Sequence, residues 1–148
     1  MEKSTDSPRI VNVASSLGHL KILQSNDLKA RFLSPSLRVQ DVNELMNSFV
    51  RDAQNGVHVS NGWPDSCYGT SKLGVIALTR ALAKELADRK SRVLVNACCP
   101  GYCKTDMTSQ NGFKSAEEGA KTPVLLALGL PDDGPSGRFF FEEKEVDW

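Results

Sequence analysis

The sequence predicts a parallel α/β layer of about three strands with flanking helices, plus a helical insertion. Three observations carry that expectation. A short Val/Ile run at 9–14 (RIVNVA) ends on Ser15, Ser16 and Gly18, and a second run at 92–98 (RVLVNAC) is stopped by Pro100-Gly101. Between them lies a long segment whose apolar residues recur at helical spacing. Strands alternating with helices in this way build a parallel sheet with right-handed crossovers.

Length and charge bound the possibilities. The chain has 148 residues, one domain's worth. Lys+Arg and Asp+Glu number 18 each, so the net charge is zero and a nucleic-acid module, which needs a basic excess, is not expected. Apolar residues make up 40%, ordinary for a globular protein. The longest apolar run, Val124 to Leu130, is too short to span a bilayer, and the opening MEKSTDSPRI lacks the apolar core of a secretion signal. A cytoplasmic chain with no membrane partner is the expectation. Cysteines at 67, 98, 99 and 103 fit no zinc spacing, and His19 and His58 lie far from them in sequence, so reduced thiols and no metal are expected.

Each element has its own signal. After the strand at 9–14, residues 25–33 carry a Ser or Asn cap and form a short helix before Pro35. Val39, Val42, Leu45, Met46, Phe49, Val50 and Ala53 then trace the apolar face of an amphipathic helix, with Gly56 beyond it. Residues 56–64 read as a loop. From about Ser66 to Lys90, Leu73, Ile76, Ala77, Leu82, Ala83, Leu86 and Ala87 form a wide apolar face. The strand at 92–98 leads to a polar stretch, Tyr102 to Lys114, that could lie over a site. Ser115-Ala116-Glu117-Glu118 is a capping box for a helix to about Gly129, with a kink or boundary expected at Pro123. Gly137-Arg138-Phe139-Phe140-Phe141 reads as the third strand. Such a sheet needs cover on both faces, and the chain is expected to supply little of it.

The chemistry-bearing residues are Ser15, Tyr68 and Lys72. Tyr68 and Lys72 stand at i and i+4 near a helix start and share one face. An ammonium beside a phenol favours the phenolate, and a phenol tuned in this way exchanges protons with a carbonyl or alcohol oxygen. Ser15 follows a buried strand at the carboxyl edge, where open α/β sheets bind ligands. Spacing alone leaves a solvated helix face as the alternative. A hydrolase built on Ser15 and His19 would need a third orienting group, and none is indicated.

Context narrows the reading. The sequence Arg9-Ile-Val-Asn-Val-Ala-Ser15-Ser-Leu-Gly18 resembles the catalytic-serine strand of the short-chain dehydrogenase/reductase family. Tyr68-Gly-Thr-Ser-Lys72 is similar to that family's Tyr-x-x-x-Lys, and Asn96-Ala-Cys-Cys-Pro100-Gly101-Tyr-Cys-Lys-Thr105 to its Asn-x-x-x-Pro-Gly-x-x-x-Thr loop. The resemblance runs from Arg9 almost to Trp148. Gly62-Trp63-Pro64, Thr105-Asp106-Met107, Glu117 to Pro123 and the long gap between Ser15 and Tyr68 resemble the cytosolic, NADPH-dependent carbonyl reductase branch.

The resemblance implies the C-terminal half of a Rossmann-like doubly wound parallel sheet. Residues 9–19 would be the serine strand and turn, 20–62 the helical insertion, and 63–148 the Tyr/Lys helix, the nicotinamide-end loop and the C-terminal strand. It implies hydride transfer from NADPH to a ketone, aldehyde or quinone, with Tyr68 as general acid, Lys72 holding the nicotinamide ribose and Ser15 the substrate oxygen. Pro100, Gly101 and Thr105 would hold the nicotinamide end, and Trp63, Cys99 and Tyr102 would line the substrate pocket with Ser15. The insertion would keep the protein monomeric.

The family's front half has no counterpart here. Gly69 to Gly74 has the wrong spacing for the phosphate-binding fingerprint and falls within a helix. The family's catalytic asparagine has no match either, because Asn12 lies within the strand. Two readings therefore stand: part of an NADPH-dependent carbonyl reductase, or an inactive truncated form that pairs with another chain through the exposed edge of the strand at 9–14.

Overall fold

Strands β1 (Arg9–Val13) and β2 (Leu94–Cys99) pair in parallel, Arg9 opposite Leu94 and Val13 opposite Cys98. The computed structural model describes residues 8–148, and the polar leader read at the chain start lies outside them. β3 (Phe139–Phe141) continues the sheet in parallel on the far side of β2, with Cys98 opposite Phe140. A fourth strand, β4 (Lys144–Val146), adds to it antiparallel, so the order is β1-β2-β3-β4. The expectation of about three strands is thus corrected by one. The turn that hides β4 is Glu142-Glu143, both at positive φ (51° and 61°). Two-residue hairpins of that geometry are normally marked by Asn or Gly.

The two faces of the sheet are served by alternate residues, as the pleat requires. Val95, Ala97 and Cys99 point to α3 (Cys67–Asp88), where they meet Ala83 and Ile76. Cys98 points the other way, packing with Val11, Phe140 and Leu126. Leu126 belongs to a π-helical turn, Leu125–Gly129, that continues α4 (Ala116–Val124). Both faces of β2 are therefore covered, more fully than the sequence suggested. The capping box forms as expected, Ser115 Oγ accepting from Glu118 N–H at 3.1 Å and Glu118 Oε2 from Ser115 N–H at 2.7 Å. Pro123 cannot donate to the carbonyl one turn back, and the regular helix ends one residue later.

The insertion is built by α1 (Asn26–Leu33), capped by Ser25, and α2 (Val39–Gln54). Val42, Leu45 and Phe49 of α2 bury against Leu73, Ala77 and Ala81 of α3. Each such Leu or Phe contributes about 1.5–3 kcal/mol over an exposed one. Val50, expected on this face, is instead 48% exposed. α2 is pinned at its start by Val39 N–H donating to Glu85 Oε1 and by the Arg38–Asp88 ion pair at 2.6 Å. The result is an outer layer over α3, which fixes the helix that carries Tyr68 and Lys72.

Candidate active site

The β1–β2 ladder runs one residue past the strand, through Ala14 N–H to the Cys98 carbonyl at 2.7 Å. Ser15 therefore leaves the sheet at its carboxyl edge, beside Cys99. It caps the 3-10 turn Ser16–Gly18, its Oγ accepting from Leu17 N–H at 3.1 Å. That bond uses a lone pair and leaves the hydroxyl hydrogen free to be donated. Gly18 closes the turn directly against α3. A β-carbon there would come within 2.5 Å of the Lys72 carbonyl carbon, so no side chain fits without moving backbone.

Ser66 caps α3, accepting from Gly69 N–H at 3.0 Å, which sets Tyr68 in the first turn and Lys72 one turn on. Lys72 Nζ donates to the Val13 carbonyl at 3.2 Å and stands 5.7 Å from the Tyr68 ring centroid. Tyr68 is 54% exposed. The Trp148 indole N–H donates to the Gly18 carbonyl at 2.9 Å, and its ring packs edge-on to Phe32. Two chain segments, α3 and Trp148, thus hold the Ser15 turn through Gly18.

From β2 the chain passes through Cys99 and Pro100 to Gly101, whose φ of +86° favours glycine. Cys99 is buried, its thiol 3.8 Å from Ser16 Oγ and accepting from Gly101 N–H at 3.4 Å. Tyr102 and Phe113 then meet ring to ring across a folded-back loop at 5.7 Å. The Tyr102 carbonyl accepts from Phe113 N–H at 2.8 Å. Within the loop, Thr105 N–H donates to Thr108 Oγ1 at 3.1 Å. Lys114 ties the loop to the β3–β4 turn through Glu142 at 2.7 Å. This hydrogen bond lowers the Glu142 pKa and raises that of Lys114. Next door, burial and then the neighbouring Cys99 push the Cys98 thiol up to about 11, which leaves it inert.

Ser15, Tyr68, Lys72, Cys99, Pro100 and Gly101 thus come from the ends of β1 and β2 and the start of α3, all at one edge of the sheet. Tyr102 and Thr105 follow on the adjoining loop. Trp63 does not join them at the surface. Only 1% exposed, it packs on Phe32 and Phe49 and donates its indole N–H to Asp52 Oδ2 at 3.1 Å. The substrate-pocket role expected of Trp63 thus has no exposed ring beside Ser15 in this structure.

Several neighbours were not singled out in the sequence. Val13 and Leu17 are exposed beside Ser15, and Met107 and Phe113 are 94% and 90% exposed on the loop. A Met and a Phe inside a polar stretch were the available signal. Trp148 gave none beyond being a terminal aromatic. Two neighbouring cavities, about 330 and 290 Å³, lie along α3 beside the segment entering β3, the first walled by the α1–α2 connection and the second by residues 145–148, and neither is lined by Ser15, Tyr68 or Lys72. Among the described residues no group of three His, Cys, Asp or Glu side chains is placed to hold a metal. No helix there is long and apolar enough to cross a membrane.

Residues 54–115 match the profile of the short chain dehydrogenase family. The chain is 49% identical over 146 residues to carbonyl reductase [NADPH] 3 of Rattus norvegicus and 46% identical to carbonyl reductase [NADPH] 1 of Bos taurus. Both alignments cover 95% of this chain and 52% of the relative, so the chain spans about half the length of the curated relatives it matches. Among solved structures, it superimposes on salutaridine reductase from Papaver somniferum with a TM-score of 0.80 at 39% identity, covering 92% of this chain and 46% of that one. For menthone neomenthol reductase from Mentha piperita the TM-score is 0.73 at 34% identity, with 96% and 43% covered.

Proposed function

We propose that the chain is a member of the short-chain dehydrogenase family, which residues 54–115 match, and that it takes part in NADPH-dependent reduction of ketones, aldehydes or quinones to alcohols, with Tyr68 as proton donor. One observation carries the reading. Gly18 packs on the backbone of Lys72, so the turn that presents Ser15 and the helix that presents Tyr68 are held as one unit.

The residues present suit the nicotinamide end of the cofactor. Lys72 uses one of its three ammonium donors on Val13, leaving the others for ribose hydroxyls. The Gly101 turn and Thr105 lie along the same edge, where backbone can approach a ring closely. When bound, NADPH supplies the hydride.

Everything else falls to the side chains. Ser15, with Leu17 N–H on its oxygen, turns its hydrogen to the substrate carbonyl oxygen and opposes the charge that gathers there. The exposed Tyr68 hydroxyl delivers the proton to the same oxygen. Lys72 Nζ stands beside the donor, 5.7 Å from the Tyr68 ring centroid. Cys99 and Tyr102 border the space next to Ser15. The division into a serine strand and turn at 9–19, an insertion at 20–62 and a site-bearing remainder at 63–148 follows from this assignment. The cover that α2 gives α3 favours a monomer, and a cytoplasmic location is part of the same reading.

A second reading is favoured by β1, which pairs only with β2 among the described residues, and by relatives about twice as long. In it the chain alone is inactive and β1 pairs with another chain. Titration of the chain with NADPH, followed by fluorescence, separates the two. Saturable micromolar binding is the result expected of the enzyme reading; no binding would end the case for self-sufficient catalysis.

A further inference from the structure

We propose that the cleft along α3, beside the segment entering β3, binds a small carboxylate with a short apolar tail. The cleft is the cavity of about 330 Å³ noted above, at the lower end of the range for small-molecule sites. The exposed Pro35 and Ala87, set over the buried Phe32, Leu37 and Ala81, give it an apolar wall, while Arg80, Lys84 and Arg138 supply its charges, and no Asp or Glu is among its lining residues. Lys84 and Arg138 have carboxylate partners, Asp88 at 3.4 Å and Glu145 at 3.6 Å.

Arg80 differs from both. It is half-buried and makes no ion pair among the described residues; its guanidinium lies 5.0 Å over the Trp148 ring. Burial, and after it the charge of Arg138, both act against its cation. A carboxylate taken by the planar guanidinium fork would oppose the Arg138 charge and give the half-buried cation a bidentate partner.

The neighbouring cavity shares Arg80, Gly137 and Arg138 but is lined by Glu145 and Asp147, which turn an anion toward the first. The site is distinct from the one at Tyr68. Arg80 lies two helical turns beyond Lys72, about 12 Å along α3, and β3 lies two strands in from the outer edge of β1.

Calorimetric titration of the chain with octanoate, 1-octanol and inorganic phosphate tests the proposal. Octanoate is expected to bind saturably at one site, with octanol and phosphate each weaker by roughly tenfold or more, since one lacks the charge and the other the tail. Arg80→Gln should weaken octanoate by roughly tenfold or more. Because Arg80 also packs on Trp148, Lys84→Gln at the rim gives a second reading, a several-fold loss without loss of fold. Absence of saturable octanoate binding would overturn the proposal. So would octanol or phosphate binding as tightly as octanoate, or unchanged affinity in both variants.

Discussion

The main chain of Lys72 passes so close to Gly18 that a β-carbon at Gly18 would lie 2.5 Å from the Lys72 carbonyl carbon and 2.6 Å from the Leu73 nitrogen. The contact joins the turn after β1 to the helix that carries Tyr68. It gives a physical reason for the glycine three residues after Ser15.

Gly18→Ala should therefore push the turn off α3. Overpacking at a site with no flexible neighbour costs about 1–3 kcal/mol. Urea denaturation should show a lower midpoint with an unchanged slope. A variant as stable as the parent would mean that the turn and helix are not held in contact.

Trp148→Phe removes the indole N–H that donates to the Gly18 carbonyl at 2.9 Å but keeps a ring against Phe32. The expected loss is about 1 kcal/mol, the worth of one hydrogen bond. Removing Trp148 altogether should cost more, because the ring contacts with Phe32 and Arg80 go as well. Thermal unfolding of the two variants side by side reads the difference; equal melting temperatures would remove the ring from the account.

The four thiols should separate in reactivity. Cys67 is exposed, whereas Cys98 is fully buried with its pKa pushed up to about 11. Iodoacetamide at mildly alkaline pH should label Cys67 first and reach Cys98 only after unfolding. Mass mapping of labelled peptides checks the order, and early labelling of Cys98 would contradict the packing of β2 on Leu126.

His19 is held below its ordinary value of about 6.5, first by burial and then by Lys21, with Asp147 opposing. The unfolded chain therefore takes up this proton at higher pH than the folded one. The stability contributed by neutral His19 is complete above about pH 6.5 and is lost as pH falls toward the lower folded value. NMR titration of the ring should place His19 below a free histidine. In His19→Gln the corresponding part of the acid-side loss of stability should vanish.

Local chemistry was legible and tertiary placement less so. Ser66, Ser115 and Glu118 announce helix starts through side-chain bonds made within one turn, and Tyr68 and Lys72 share a face by helical period alone. In the insertion, α1 follows from its cap and Pro35 and α2 from apolar spacing, although Val50 falls at the margin of the stripe and turns outward. The packing of Trp63 was not legible because it depends on Phe32 and Phe49, which reach it only after α1 and α2 fold back over α3. β4 was invisible because Glu142-Glu143 carries none of the residue types that usually mark its turn. The cover over the second sheet face was underestimated because Leu126 packs there from a π-helical turn, which apolar periodicity does not foretell.

Under the proposed function, Tyr68 supplies the proton in carbonyl reduction. Tyr68 is 54% exposed, so Tyr68→Phe should leave the fold intact. The most direct measurement is NADPH consumption with a quinone by the unsubstituted chain and by Tyr68→Phe, alongside NADPH binding by both. The expected result is equal binding, with turnover reduced by roughly 100-fold or more in the variant. Undiminished turnover by Tyr68→Phe would contradict the account.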